Sequence, residues 1–343
     1  MSGTHAGKAA ILGGGIGGLT AANALVRFGW HVDVFERAEG LPPTGTALGL
    51  WPEALASLEV AGLGGEAEKR GVLQTSGWFL RWDGLPIARL ENLRRPAVLL
   101  SRPPLLELLS AGLPDGTVHF GHTAPAAPDL SGYDVVVGAD GIGSATRDAL
   151  FGSRFRPVYT GFTAWRGWVD GRAASLSESW GPNALFGITP RDGDLTNWFA
   201  AVRAPADSTG GVPDLRERFR EWHPAVLDVL DRLDPSMVLH HDLYQSPPLP
   251  SYVRGKVALI GDAAHAMAPN LGRGACEAIV DASALAVLLR DHPVAEALHR
   301  YDRARRHRTQ RLVRASRMLA GVATATRFTT ARNAAVRATS RFA

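Results

Sequence analysis

The segment that most limits what this chain can fold into is Gly13-Gly14-Gly15-Ile16-Gly17-Gly18, because of what flanks it. Before it, Lys8–Leu12 is a short apolar run of strand length. After it, Leu19, Ala22, Leu25 and Val26 recur at helical spacing up to Gly29, a C-cap residue. His31–Phe35 then alternates as a second strand and ends at Glu36. Strand, glycine turn, helix, strand and acid in this order predict an α/β chain with a Rossmann-type, dinucleotide-binding sheet. The glycines do different things. Gly13 makes the tight turn, Gly15 admits a pyrophosphate to the backbone N–H groups, and Gly18 lets helix and strand close up. The helix start adds partial positive charge. Glu36, 18 residues after Gly18, is spaced to accept both hydroxyls of a ribose. Its charge argues against a 2′-phosphate; NAD and FAD both stay open at this point.

Two later segments repeat the passage from buried strand to polar turn. Tyr133–Ala139 runs into Asp140-Gly141, and Lys256–Ile260 runs into Gly261-Asp262. The second is followed by Pro269-Asn270-Leu271-Gly272-Arg273-Gly274 and a helix from about Ala275. A length of 343 residues suggests about two domains. No uninterrupted apolar run of roughly 18 residues occurs, so no membrane-spanning helix is expected. The single cysteine, Cys276, leaves no intramolecular disulfide or cysteine-based metal cluster, and the cytoplasm is the expected compartment. No metal site is expected. The net charge of +4 is concentrated: residues 300–343 hold 12 Arg against one Asp. Residues 296–322 pattern as a long helix with a broken apolar stripe and arginines elsewhere. A solvated basic face is expected there, not a nucleic-acid partner.

In order and spacing, these segments resemble the single-component FAD-dependent monooxygenases of the para-hydroxybenzoate hydroxylase-like (aromatic-ring hydroxylase) family, over nearly the whole chain. The resemblance implies a Rossmann-type FAD-binding domain (GR2-like flavoprotein fold) from residues 1-70, 99-157 and 254-320. It implies an inserted mixed β-sheet substrate domain from 71-98 and 158-253, and a C-terminal tail, 321-343, after a helical segment. It assigns FAD contacts to Gly13, Gly15, Ile16, Gly17, Gly18, Glu36, Arg37, Gly45, Thr46, Arg102, Asp140, Gly141, Asp262, Gly272, Gly274 and Ala275. Asp262 would accept from the ribitol, and Arg102 would meet the phosphates. Asp140 and Arg147 would support the pyrophosphate and a transient NADH or NADPH. Pro269 resembles the proline beside the reacting flavin edge. The implied reaction inserts one atom of molecular oxygen, through a C4a-hydroperoxyflavin, into an aromatic, polyketide-like or other electron-rich small molecule. A monomer or homodimer is expected. Two residues depart from the family pattern: Glu53 stands where Asn is common, and Arg273, expected in solvent, where Gln is common. Residues 121–132 are short where relatives carry a hairpin or meander.

Seven of the nine tryptophans fall in the expected substrate segments. Alternation puts Phe162, Ala164, Arg166 and Trp168 on one face of a strand and Thr163, Trp165, Gly167 and Val169 on the other. An aromatic-lined face suits a flat apolar substrate, with Trp165, Arg166, Trp198 and Tyr244 as expected contacts and Asn197 and His240 as weaker ones. Arg166 is expected either to hold an anionic substrate group or to form a structural salt bridge. Asp194–Phe199 lacks the Arg and Tyr of urate-oxidising relatives, which disfavours urate. Asp214–Leu233 patterns as helices broken by Pro224. His265 is expected to be structural, with proton shuttling as the alternative. A flavin dehydrogenase, reductase or epoxidase on the same fold is the rival enzyme reading. A halogenase is disfavoured, since Lys69 is the only mid-chain lysine.

Overall fold

The computed structural model describes residues 7–91, 96–123 and 130–339. The opening unit is β1 (Lys8–Leu12), α1 (Ile16–Arg27) and β2 (His31–Glu36). Gly13 turns between β1 and α1 at φ 115°, and a Cβ there would lie 2.4 Å from the Ala139 carbonyl oxygen. At Gly18 a Cβ would come within 2.0 Å of the Gly13 oxygen, so helix and strand pack at a distance only glycine permits. Next come β3 (Ala47–Leu50), α2 (Pro52–Val60), α3 (Gly64–Arg70), β4 (Val72–Gln74), β5 (Gly77–Arg81), β6 (Pro86–Leu90) and β7 (Ala97–Ser101). Then follow α4 (Arg102–Ala111), β8 (Val118–Phe120), β9 (Val135–Gly138) and α5 (Ala145–Phe151). The middle of the chain gives β10 (Val158–Asp170), β11 (Leu176–Gly181), β12 (Ala184–Arg191), β13 (Leu195–Arg203), α6 (Val212–Phe219), α7 (Pro224–Asp231) and β14 (Leu239–Gln245). The last part is β15 (Val253–Arg254), β16 (Val257–Leu259), α8 (Asp262–His265), α9 (Gly274–Asp291), α10 (Val294–Ala323) and α11 (Thr329–Thr339).

The first sheet has the order β15-β16-β9-β1-β2-β8. Its strands from β16 to β8 are parallel, and β1 lies between β2 and β9, so the cleft opens beyond the carboxyl ends of β1 and β9. β9 is buried at all four positions, which explains its unbroken apolar sequence. The second sheet, β14-β10-β13-β12-β11-β5-β6, is antiparallel except for β11 with β5. Helices α6 and α7, the latter opened by Pro224, cover one of its faces through a core that includes Trp165, Phe186, Trp198, Phe219 and Trp222.

Two expected boundaries shift. β4 pairs with β7, in a small sheet with β3, so the inserted sheet begins at Gly77 and not at residue 71. The expected tail is not separate either. α10 runs through to Ala323, and α11 packs on β6, with Arg337 Nε donating to the Ile87 carbonyl at 3.0 Å. Residues 92–95 and 124–129, the latter covering much of the shortened connection, lie outside the described residues. No helix among the described residues is long and apolar enough to cross a membrane.

A buried ionic network ties α8, α9 and α10 together. Asp281 accepts from Gly261 N–H (2.9 Å) and Arg305 Nε (2.6 Å) and lies 2.6 Å from His265 Nε2. Arg305 also meets Glu277, which in turn accepts from Arg273 Nη2 at 3.0 Å. Burial opposes the charge on Asp281, yet His265 and Arg305 hold its pKa below the ordinary value. Asp281→Ala would leave cations in a dry interior; the expected loss is about 3–5 kcal/mol, read by urea denaturation. Arg300→Ala, which breaks only the exposed Arg300–Glu296 pair, should leave the midpoint nearly unmoved.

Candidate active site

The cleft between the two large sheets is lined by backbone left open. The N-terminus of α1 has no side-chain cap, and a Cβ on Gly15 would meet nothing within 4 Å, so Ile16, Gly17 and Gly18 start a helix whose free N–H groups are accessible. At the end of β2, Glu36 accepts from Gly14 N–H (2.7 Å) and Ala38 N–H (2.8 Å), which fixes its carboxylate and leaves further lone pairs. Arg37 beside it is exposed. Arg102 opens α4, with its N–H donating to Thr46 O, and a Cβ on Gly45 would lie 2.9 Å from Arg102 Cβ. Gly45, Thr46 and Arg102 thus form one corner.

Asp262 stands among crowded protein atoms with its side chain open to the cleft. The crowding raises its pKa, against the opposing charges of His265 and Arg102. Further along the same segment Pro269 is exposed, and Gly272 turns the chain at φ 59° into α9, whose 18 residues begin at Gly274 and Ala275 without a side-chain cap. Uncapped amides at two helix starts, two carboxylates and an arginine around one cleft fit the phosphates, sugar hydroxyls and ring edge of FAD.

Asp140 and Arg147 are both engaged by neighbouring protein groups. Asp140 accepts from the Ser144 hydroxyl and from Thr146 N–H (2.9 Å) and Oγ1 (2.8 Å), so both its oxygens brace the start of α5 beside Gly141. Arg147 is buried and donates to Ala263 O at 3.4 Å, tying α5 to α8 from inside, out of reach of a soluble nucleotide.

The two departures from the family pattern meet each other. Arg273 is mostly buried, against the expectation of a solvated side chain. It pairs with Glu277 at 3.0 Å and with Glu53 at 3.8 Å and lies over the Trp51 ring at 5.7 Å. The added cation and the added anion compensate.

The substrate sheet is locked to the first unit at two points. Ala47 N–H donates to Asn197 Oδ1 (3.0 Å), and Ser101 N–H donates to Asp192 Oδ1 (3.1 Å). Asn197 is therefore occupied as a bridge. On the same face, register places Arg166 opposite Phe199, Phe199 opposite Gly187, and Gly187 opposite Glu178. A Cβ on Gly187 would lie 2.1 Å from Phe199, so the ring lies flat across the sheet at that glycine. The next row, including Ala164, Ala201, Leu185 and Trp180, is covered by Leu319 and Ala323 of α10. The row from Arg166 to Glu178 thus runs between the α10 end and the Ala47 lock.

Arg166 has no ion-pair partner among the described residues, and its Nε is buried and unbonded. Burial and the neighbouring Arg102 lower its pKa. The salt-bridge expectation for it is not realised. Trp165, Trp198, His240 and Tyr244 must be corrected, because they lie on the opposite, helix-covered side. Trp165 stacks on His240 at 4.3 Å and donates to Gly210 O, Trp198 is fully buried, and Tyr244 packs on Tyr159. Phe199 and Glu178 were missed by sequence reasoning. Glu178 accepts from Trp180 Nε1 (2.5 Å), and burial pushes its pKa up to about 7. Lys69 is exposed and paired with Glu66, away from the cleft.

Comparison with known proteins agrees with this geometry. A family model described as FAD binding domain matches residues 133–316, and one described as NAD(P)-binding Rossmann-like domain matches residues 11–45. The chain is 33% identical to an aurachin C monooxygenase/isomerase of Stigmatella aurantiaca, covering 89% of this chain and 87% of that protein. It is 34% identical to a 3-amino-4-hydroxybenzoate 2-monooxygenase of Streptomyces platensis, covering 92% and 88%. The crystal structure of Klebsiella pneumoniae HpxO complexed with FAD and uric acid superposes with a TM-score of 0.87 at 26% identity, covering 98% of this chain and 93% of that one. The chain belongs to the FAD-binding-domain family of aromatic-hydroxylase-like flavoproteins. It is an FAD-dependent monooxygenase.

The Glu178 carboxyl has a consequence measurable without substrate. Its pKa rises from an ordinary 4.5 to about 7 on folding. Across that window the unfolded chain releases the proton first, so stability falls as pH rises. Glu178→Gln should remove this contribution, gaining on the order of 2 kcal/mol over wild type at pH 8 relative to pH 4, as read by urea denaturation.

Proposed function

We propose that this enzyme takes hydride from NADH or NADPH and inserts one atom of molecular oxygen into a small electron-rich aromatic or polyketide-like molecule lying over Phe199. The observation that carries the reading is the row of unpaired Arg166, flat Phe199 and titratable Glu178 on the cleft face. Relatives named for urate and for 3-amino-4-hydroxybenzoate support a small ring as substrate. Bound FAD supplies the electron transfer and oxygen activation.

The chain's own residues hold, orient and exclude. Glu36 would accept from the ribose, with Arg37 at its side. The free amides from Gly15 to Gly18, the corner of Gly45, Thr46 and Arg102, and the turn braced by Asp140 and Gly141 would surround the pyrophosphate, below the tight turn at Gly13. Asp262 would accept from the ribitol hydroxyls. The amides of Gly274 and Ala275, after the open Gly272, would stabilise negative charge on the ring's pyrimidine edge. Pro269 would wall the cleft beside the reacting ring. Arg166 would hold an anionic or accepting group of the substrate, and Phe199 would support its ring. Glu178, ionised above a pH of about 7, would take a proton from a substrate hydroxyl. The locks at Asn197 and Asp192 would keep the sheet seated and water out. Purified yellow protein tested against an aromatic and polyketide library, reading NAD(P)H oxidation and product mass, tests the whole reading. Cofactor oxidation with no oxygen-bearing product would replace it by a dehydrogenase or reductase.

Two variants test the residue roles. Asp262→Ala should weaken FAD binding about ten- to a hundredfold, as expected for a lost charge-assisted hydrogen bond. Asp140→Ala should weaken it less and lower the melting temperature instead; titration of apoprotein with FAD would expose the reverse order. Arg166→Met keeps most of the side-chain volume. It should leave FAD content and melting temperature near wild type and lower kcat/KM at least tenfold. Destabilisation with unchanged kinetics would assign Arg166 to the scaffold.

A further inference from the structure

A second cavity, of about 610 Å³, lies between α10 and the chain leaving β14, with Ala264 and His265 as part of its wall. No residue assigned above to FAD or substrate lines it. Three of its polar side chains are more than nine-tenths buried: Gln245, Ser246 and His265. Each has a polar atom with no hydrogen-bond partner among the described residues, namely Gln245 Oε1, Ser246 Oγ and His265 Nδ1. Buried polar atoms in folded proteins are nearly always paired, so Ser246 Oγ and His265 Nδ1, which can donate, indicate a missing accepting partner, while Gln245 Oε1 can only accept and does not bear on its sign. The charges fix its sign. Arg314 and Arg317 stand at the cavity without an ion-pair partner among the described residues, and no carboxylate lines it. His265 adds to this: burial opposes its charge, but Asp281 and then Asp262 raise its pKa, and a charged imidazole presents Nδ1 as a donor. Pro247, Pro248 and Val313 give the apolar remainder.

We propose that this cavity binds an organic anion of aromatic-acid size. Arg314 and Arg317 meet its acidic group, Ser246 and His265 donate to its oxygens, and the prolines pack against its ring. The volume suits such a molecule. The site does not depend on which substrate the flavin cleft takes. Its wall belongs to the segment that runs from Asp262 to Pro269, so an occupant bears on that segment from behind.

The test is calorimetric titration of FAD-loaded protein with 2-naphthoate. Arg314→Gln combined with Arg317→Gln should weaken one binding event at least tenfold. Gly321→Leu should abolish it, because Gly321 lines the cavity within α10 and a Cβ there meets nothing within 4 Å. Both variants should retain wild-type flavin content and melting temperature, and Arg166→Met should leave the event intact. Absence of binding to the wild type, binding that survives both cavity variants, or equal affinity for uncharged 2-naphthamide would overturn the proposal. So would a dimer that dissociates in Gly321→Leu, which would make the cavity a contact between two copies of the chain.

Discussion

The arrangement of this molecule depends on one carboxylate, Asp281. It is fully buried, and it receives the Gly261 N–H, the His265 ring and the Arg305 guanidinium. A charge in that position is tolerable only because its partners replace the water it has lost. In return it fixes the turn that presents Asp262, since Gly261 sits at φ 56° with its amide aimed down at α9. Through Arg305, Glu277 and Arg273 the same network reaches Glu53 at the lip of the cleft. Three helices and the edge of the cofactor groove are thereby set by alternating charges.

Steric limits do the complementary work. Gly18 against Gly13 sets how closely α1 lies on β1, and Gly187 under Phe199 sets how flat the substrate face is. The two sheets then need few contacts to hold register. Asn197 with Ala47 and Asp192 with Ser101 place hydrogen bonds at the rim, with the half-buried row from Arg166 to Glu178 between them.

The parts of the fold that were legible in the sequence are those written in local period. β1, the glycine turn, α1 and β2 follow one another with no need of distant partners, and the Asp140 and Asp262 segments each close a buried strand. Alternation also showed that Arg166 and Trp165 face opposite ways. It could not show which face meets the cleft, because α6 and α7 bury one side of the sheet as fully as the flavin unit and α10 cover the other. Trp165, Trp198, Tyr244 and His240 were misplaced for that reason. Glu178 escaped notice because its place beside Phe199 and Arg166 depends on register across four strands. Arg273 looked solvated because its partner Glu53 is 220 positions away in the chain. β4 was assigned to the wrong unit because a three-residue strand carries no signal of the sheet it joins.

Cys276, the chain's only cysteine, sits in the first turn of α9 at the cofactor groove. Its sulfur donates to Gly49 O at 3.0 Å and accepts from Trp51 N–H, and burial pushes the thiol up to about 11. The thiolate is the form that reacts with peroxide and alkylating agents, and at neutral pH almost none is present. An enzyme that handles oxygen thus keeps its one oxidisable thiol in an unreactive state. Inactivation by peroxide would have to begin at another residue or follow unfolding, and thiol reagents should label this protein only as fast as α9 opens.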